Sequence, residues 1–165
     1  MGVAGGVGIG SAWYPGSLKA FLSEMPDNPF IHIQSSKFPI HPEEANELVN
    51  DGTHGKAFAE YLQERLIERG CESPFYCCED WGWWVEIKGQ PFTMGLCVYG
   101  FPQVDGSLDL CVQASPEPER RWSWTRFRFI DRAPWIEKLN LNLAEIVDSD
   151  SAIQVLGYST EFPLS

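Results

Sequence analysis

The stretch WGWWVEIKGQPFTMGLCVYGFPQVDGSLDLCVQA, residues 81–114, decides the fold of this chain. It contains runs in which apolar residues alternate with other residues, and this period of two is typical of β-strands with one buried face. Gly89-Gln90 and Asp105-Gly106 separate the runs, and both pairs are typical of turns. The stretch therefore predicts an antiparallel meander.

The alternation also predicts which side chains of the meander share a face of their strand. We expect Trp81, Trp83, Val85 and Ile87 to share a face in the first strand, Phe92, Met94, Leu96 and Val98 in the second, and Leu108, Leu110, Val112 and Ala114 in the third. Trp84 falls on the opposite face of the first strand. Either both faces are covered or one tryptophan is left exposed for a ligand.

Shorter β-like runs surround the meander. Residues 30–35 alternate and predict a strand that ends near Pro39, and residues 74–78 predict a short strand before the meander. Residues 121–130 are rich in aromatic and β-compatible residues and predict one long strand, with a bulge midway because its two faces are not consistently apolar or polar. Residues 153–156 predict a final short strand.

Two segments carry the spacing of amphipathic helices. From His54 to Arg69, apolar residues recur every four positions and Gly70 follows as a stop signal. The second helix is expected to begin at Asp131 and Pro134 and to run to about Val147. Its expected apolar stripe is Trp135, Leu139, Leu143 and Ile146.

The order of these elements predicts an α+β fold, an antiparallel sheet of about five to seven strands with two helices packed on one face. Residues 1–29 begin with a glycine-rich segment, which is costly to order and predicts a flexible leader. Its glycines lack the strand and the Gly-Lys-Ser/Thr that a phosphate loop requires. Residues 30–165 then form a single domain.

Composition narrows the class of protein. The chain has 165 residues, 44% of them hydrophobic and 13% aromatic, which supports one packed domain and excludes a disordered chain. No apolar stretch is long enough for a membrane-spanning helix, and the first residues lack the basic start of a secretory signal. We expect a soluble cytoplasmic protein. The five cysteines lack metal-ligand spacing, so we expect reduced thiols, no metal and no cofactor.

The charge of the chain is strongly negative and unevenly distributed. The formal net charge is −11, and residues 120–132 hold five arginines and one aspartate, which leaves 7 basic and 22 acidic residues elsewhere. A protein of this charge repels phosphate backbones and anionic membranes. We therefore expect no direct nucleic-acid or membrane binding, and we expect attraction to a basic protein partner.

The acidic residues concentrate on the first helix and near the tryptophans that follow it. Spacing of four residues places Glu60, Glu64 and Glu68 on one helix face, where like charges are mutually destabilising. The turn after residue 78 carries two more acids. The predicted partner-binding residues are Glu60, Glu64, Glu68, Glu79, Asp80 and Trp83, and the acids of residues 43–51, Glu44 among them, are expected to extend the field. The alternative is an ordinary solvated helix face.

A second hypothesis is a small-molecule-binding protein or hydrolase. Its pocket would combine Glu79 with the predicted residues Trp84, Trp124, Arg126 and Arg128. No catalytic residue can be named, because the chain lacks a nucleophile elbow and any local cysteine signature. A binding protein is therefore favoured over an enzyme. A third possibility is a subunit that forms a homodimer through an exposed sheet edge.

The run AFAEYLQERLIERG at 57–70, followed by CCEDWGWW at 77–84, resembles small bacterial cytosolic proteins in which a helix leads into an E-D-W-G-W strand. The similarity extends to FRFIDRAPWIEKL at 127–139. In architecture and acidity such proteins are similar to immunity proteins, which neutralise a toxin made by the same bacterium. The resemblance implies a non-enzymatic inhibitor of a basic protein such as a nuclease toxin, and it carries no catalytic residue with it.

Overall fold

The computed structural model describes residues 27–114, 120–123 and 128–164, and the side chains of 120–123 and 128–130 lie outside that description. The described part contains two α-helices, one short 3-10 helix at Glu44–Asn46 and eight strands. The helices are α1 (Lys56–Glu68) and α2 (Ala133–Ser149). The strands are β1 (Phe30–Gln34), β2 (Tyr76–Cys78), β3 (Trp83–Ile87), β4 (Met94–Pro102), β5 (Leu108–Ala114), β6 (Arg120–Ser123), β7 (Arg128–Asp131) and β8 (Gln154–Ser159).

Six of the strands form one antiparallel sheet in the order β2-β3-β4-β5-β1-β8. The predicted meander β3-β4-β5 is confirmed, with Asp105 and Gly106 in the turn between β4 and β5. The first strand of the chain, β1, inserts between β5 and the last strand, β8. Together with the two helices, this arrangement confirms the α+β class.

One face of the sheet builds the hydrophobic core. Trp83 of β3 pairs with Val98 of β4, Val98 pairs with Val112 of β5, and Val112 pairs with Ile31 of β1. This register places one row of apolar side chains across four neighbouring strands. These residues belong to a buried cluster that also includes residues of α1 and α2. The packing of both helices on a single face of the sheet stays a prediction.

Helix α1 agrees closely with its predicted range. Phe58, Leu62 and Leu66 are fully buried, as the fourfold spacing requires, and Gly70 follows the helix with φ of +82°, a conformation that favours glycine. The side chain of Gln63 donates to the carbonyl of Ser73 at 3.0 Å, so the chain returns alongside the helix after this turn.

Helix α2 differs from the prediction at its first turn. Leu139, Leu143 and Ile146 are buried, whereas Trp135 is 38% exposed and its neighbour Ile136 is buried. Ile136 lies three residues before Leu139 and seven before Leu143, so it continues the same stripe. Trp135 instead packs edge-to-face against Phe92, with ring centroids 6.3 Å apart.

The predicted single strand over 121–130 is wrong. Its two ends form the separate strands β6 and β7, which pair antiparallel with each other, Ser123 opposite Arg128. The inconsistent faces that we explained by a bulge reflect a change of chain direction rather than one extra residue. Most of the predicted leader, and the residues between these two strands, lie outside the described residues.

Candidate functional site

The predicted acidic residues come together where α1 runs beside β2. Tyr76 Oη donates to Glu60 Oε1 at 2.5 Å, which ties β2 to the middle of the helix. Before the amino end of the helix, the side chain of Asn50 donates to the carbonyl of Asp80 at 2.5 Å. Together with the bond from Gln63 to Ser73, these contacts show that residues 72–80 run beside α1 in the opposite direction. Acids of the helix and of the β2-β3 connection therefore border the same side of the molecule.

The three helix glutamates are not equivalent. Glu60 is half-buried and accepts the bond from Tyr76, while Glu64, one turn further along, is exposed. Glu68 is exposed as well, but its carboxylate pairs with the Arg65 guanidinium at 2.8 Å. Glu68 therefore contributes less uncompensated charge than Glu64.

Glu79 and Asp80 lie at the tip of the β2-β3 hairpin. Both side chains are exposed, and the hairpin is closed by the Glu79 amide, which donates to the Gly82 carbonyl at 2.8 Å. The Cys77 thiol lies 3.5 Å from Glu79 Oε1. A short, closed hairpin thus presents two adjacent carboxylates to solvent.

Several carboxylates without an ion pair follow one another on this side. Of the other described acids, Asp150 pairs with Lys37 at 2.5 Å, Glu86 pairs with Lys88 at 2.6 Å and Glu47 pairs with Lys56, whereas acids such as Glu137, Glu145 and Asp148 are unpaired too. Along α1 and β2, five acids form no ion pair with any described residue. These are Glu60, Glu64, Glu72, Glu79 and Asp80, which we call the acidic edge.

Within the described part of the chain, the Tyr76 phenol contacts the acidic edge through Glu60. Burial raises the pKa of Tyr76 to about 12, and the bond to Glu60 and the charges of Glu60 and Glu47 act in the same direction. Tyr76 therefore stays protonated and keeps donating to Glu60 over the physiological pH range. This hydrogen bond holds the Glu60 carboxylate in place without neutralising it.

Two residues predicted near this site lie in the interior. The Trp83 side chain is only 1% exposed and packs in the core beside Tyr76, so it supports β3 rather than the surface. The Glu44 carboxylate is fully buried and accepts hydrogen bonds from the backbone amides of Gly55 and Lys56, at 2.8 and 2.9 Å. The expectation that Glu44 extends the surface field is wrong, because it satisfies the amino end of α1 instead.

The second predicted site is only partly within the described residues. Trp84 is half-buried on the sheet face opposite the core, and its indole donates to Glu86 at 2.8 Å. Its ring lies over β4 at Gly95, where an added Cβ would come within 2.5 Å of the ring. Trp124 and Arg126 lie outside the described residues, and Arg128 is described only as backbone in β7.

Sequence reasoning did not identify a polar and aromatic cluster on this same face. The His32 ring lies 2.5 Å from Asp109 across β1 and β5, and the ring of Tyr99 packs against Phe30 and Phe162. Burial raises the pKa of the Cys111 thiol, so this cysteine is protonated and unsuited to nucleophilic attack. Pairing between distant strands brings these residues together, and the local pattern contains no signal of it.

Within residues 27–114 and 131–164, no group of three or more His, Cys, Asp or Glu side chains has the arrangement of a metal site. Among the described helices, none has the length and apolarity required to cross a membrane. Comparison of the chain with known protein families, with curated proteins and with solved structures finds no match.

Proposed function

We propose that this chain is a non-enzymatic binding protein whose acidic edge docks a basic protein. The carrying observation is the set of five carboxylates along α1 and β2 that form no ion pair with any described residue. Neighbouring like charges that are unpaired repel each other and destabilise the free protein. A basic partner that neutralises them removes this repulsion, which favours the complex. The resemblance to immunity proteins makes a nuclease-like toxin the partner class that we favour.

Electrostatics of this kind acts mainly on the rate of association. The net charge of −11 attracts a basic partner over a distance that salt controls, since the Debye length falls from about 30 Å at 0.01 M to about 8 Å at 0.15 M. Affinity then depends on a few apolar contacts at the centre of the interface. We therefore expect association to slow steeply with added salt, while dissociation changes less.

The test is charge reversal at the acidic edge with a matched control. The double variant Glu64→Lys/Glu79→Lys is compared with Glu137→Lys/Glu145→Lys, which makes the same change in net charge at exposed positions of α2. The tagged protein is first used at low ionic strength to capture its partner from native lysate, and the purified partner is then titrated.

We expect the acidic-edge variant to bind at least tenfold more weakly and the α2 variant to bind within about threefold of the parent. Equal losses in the two variants, or no loss in either, would show that the acidic edge is not the interface. The α2 variant isolates the effect of position from the effect of net charge.

The half-buried indole of Trp84 over Gly95 favours a second candidate, a small-molecule site on the sheet face opposite the core. An aromatic ring with an adjacent carboxylate is typical of sites that orient polar ligands. Tryptophan fluorescence during a ligand screen, repeated on Trp84→Phe, tests this function. A ligand whose signal and affinity are the same in the variant does not bind there.

A further inference from the structure

Strand β2 ends the sheet and leaves one side of its backbone without a partner among the described residues. The amide of Glu79 donates to Gly82, and the amide of Glu86 donates to Phe75, so residues 75, 77 and 79 form the ladder with β3. In an antiparallel pair the intervening residues point the other way. The N–H and C=O groups of Tyr76 and Cys78 therefore face away from the sheet.

We propose that the partner binds by adding a strand to β2, and that the strand is an extended, lysine- or arginine-rich segment. This inference rests on the proposed function and specifies how the acidic edge is used. Main-chain hydrogen bonds to Tyr76 and Cys78 fix the direction of the added strand, and its basic side chains meet the carboxylates that border β2.

The acids lie before, beside and after β2. Glu72 precedes β2, Glu60 contacts Tyr76 in its middle, and Glu79 follows its end. Neighbouring residues of a strand face opposite sides, so Glu60 at Tyr76 and Glu79 at Cys77 border different faces of β2, and basic residues at alternate positions of the segment meet the acids of one face. Neutral or acidic segments gain the backbone bonds but lose the electrostatic contribution.

An apolar contact beside the edge is available to such a segment. Phe75, directly before β2, is 47% exposed. Large apolar side chains at a charged surface are typical of the few residues that supply most of the affinity of an interface. The added strand thus has an apolar contact at the Phe75 end and carboxylates at both ends.

A second copy of this chain is a poorer occupant. Pairing two copies of β2 brings two acidic edges together, and each chain already carries a net charge of −11. The same reasoning excludes acidic peptides. The occupant that matches the charge is a basic segment from a different protein.

The test uses a peptide probe of defined backbone chemistry. The probe is the blocked peptide KTKVKTKVKT, and two N-methylated versions remove the N–H donors of either the odd or the even residues without changing the charge. Affinity is measured at low salt, and hydrogen exchange of the Tyr76 and Cys78 amides is measured with and without each peptide.

We expect the unmodified peptide to protect both amides and one N-methylated version to bind at least tenfold more weakly than the other, since only one edge of an added strand faces β2. Equal affinity of all three peptides with no protection overturns strand addition. If binding is then still lost in Glu64→Lys/Glu79→Lys, the acidic edge remains the interface and the proposed function stands.

Failure of the unmodified peptide to bind at all also overturns strand addition by a basic segment. The captured partner then decides the proposed function separately, through the comparison of the acidic-edge variant with the α2 variant. Failure of both experiments removes the acidic edge as an interface of either kind.

Discussion

At the scale of single residues, Asp150 connects three elements that are distant in sequence. Its carboxylate accepts from Lys37 at 2.5 Å and from Tyr61 at 2.8 Å, so it links the segment after β1, α1 and the end of α2. The bond from Lys37 is the largest cause that lowers the pKa of Asp150 to about 2, followed by bonds from Ala152 and Tyr61. This carboxylate is therefore charged in the folded state at pH values where it begins to protonate in the unfolded chain.

Because the pKa of Asp150 is lower in the folded state than in the unfolded chain, its ionised carboxylate stabilises the fold at pH values above the unfolded pKa of about 3.9. That contribution is lost as the pH falls towards 2. We expect Asp150→Asn to lower the free energy of unfolding by about 1–2 kcal/mol at pH 7, after screening at this partly exposed site. The difference shrinks below pH 4. Urea unfolding across pH 7 to 3 measures it, and a constant difference would contradict the assignment.

The control for this experiment is Asp148→Asn. Asp148 lies two residues earlier, is exposed and forms no ion pair with a described residue. Its substitution removes the same charge without the same contacts. We expect a change within about 0.5 kcal/mol at every pH.

At the scale of elements, the amino end of α1 depends on a side chain from the preceding segment. The residue before the helix is Gly55, which has no side chain to cap the free amides. Glu44, in the 3-10 helix, replaces that cap with one buried carboxylate oxygen, and its other oxygen accepts from the His41 amide at 3.3 Å. Negative charge at this end also interacts favourably with the helix dipole.

We expect Glu44→Gln to destabilise the protein by about 1–3 kcal/mol, because bonds to a charged acceptor are stronger than bonds to an amide and the new NH₂ group faces a backbone donor. Glu43→Gln, exposed and one residue earlier, is the matched control and should change stability by less than about 0.5 kcal/mol. Equal effects of the two substitutions on the urea midpoint would show that the buried carboxylate is not a cap.

The elements differ in how far the sequence determines them. Strands β3 to β5 follow from alternation and turn residues, and α1 follows from its spacing and Gly70, because these are local signals. The insertion of β1 between β5 and β8, and the contact between His32 and Asp109, depend on pairing between distant segments. The acids of the site were predicted for the same local reasons, whereas the burial of Glu44 and Trp83 depends on tertiary packing.

At the scale of the whole molecule, the charge that attracts a partner also acts on the free protein. A chain with a net charge of −11 repels itself when compact, and the acidic edge concentrates part of that repulsion beside α1 and β2. Local ion pairs such as that between Lys37 and Asp150 act in the opposite direction. Added salt screens both contributions, so the sign of the response shows which one dominates.

We expect repulsion to dominate, so that raising KCl from 10 to 300 mM increases the free energy of unfolding in urea by about 1 kcal/mol. Glu64→Gln/Glu79→Gln should raise stability at 10 mM KCl and reduce the salt response, while Glu137→Gln/Glu145→Gln has a smaller effect. A fall in stability with salt would mean that ion pairs outweigh repulsion. If the expected sign is found, the same carboxylates destabilise the free protein and favour its complex with a basic partner, which is the relation that a binding surface of this kind requires.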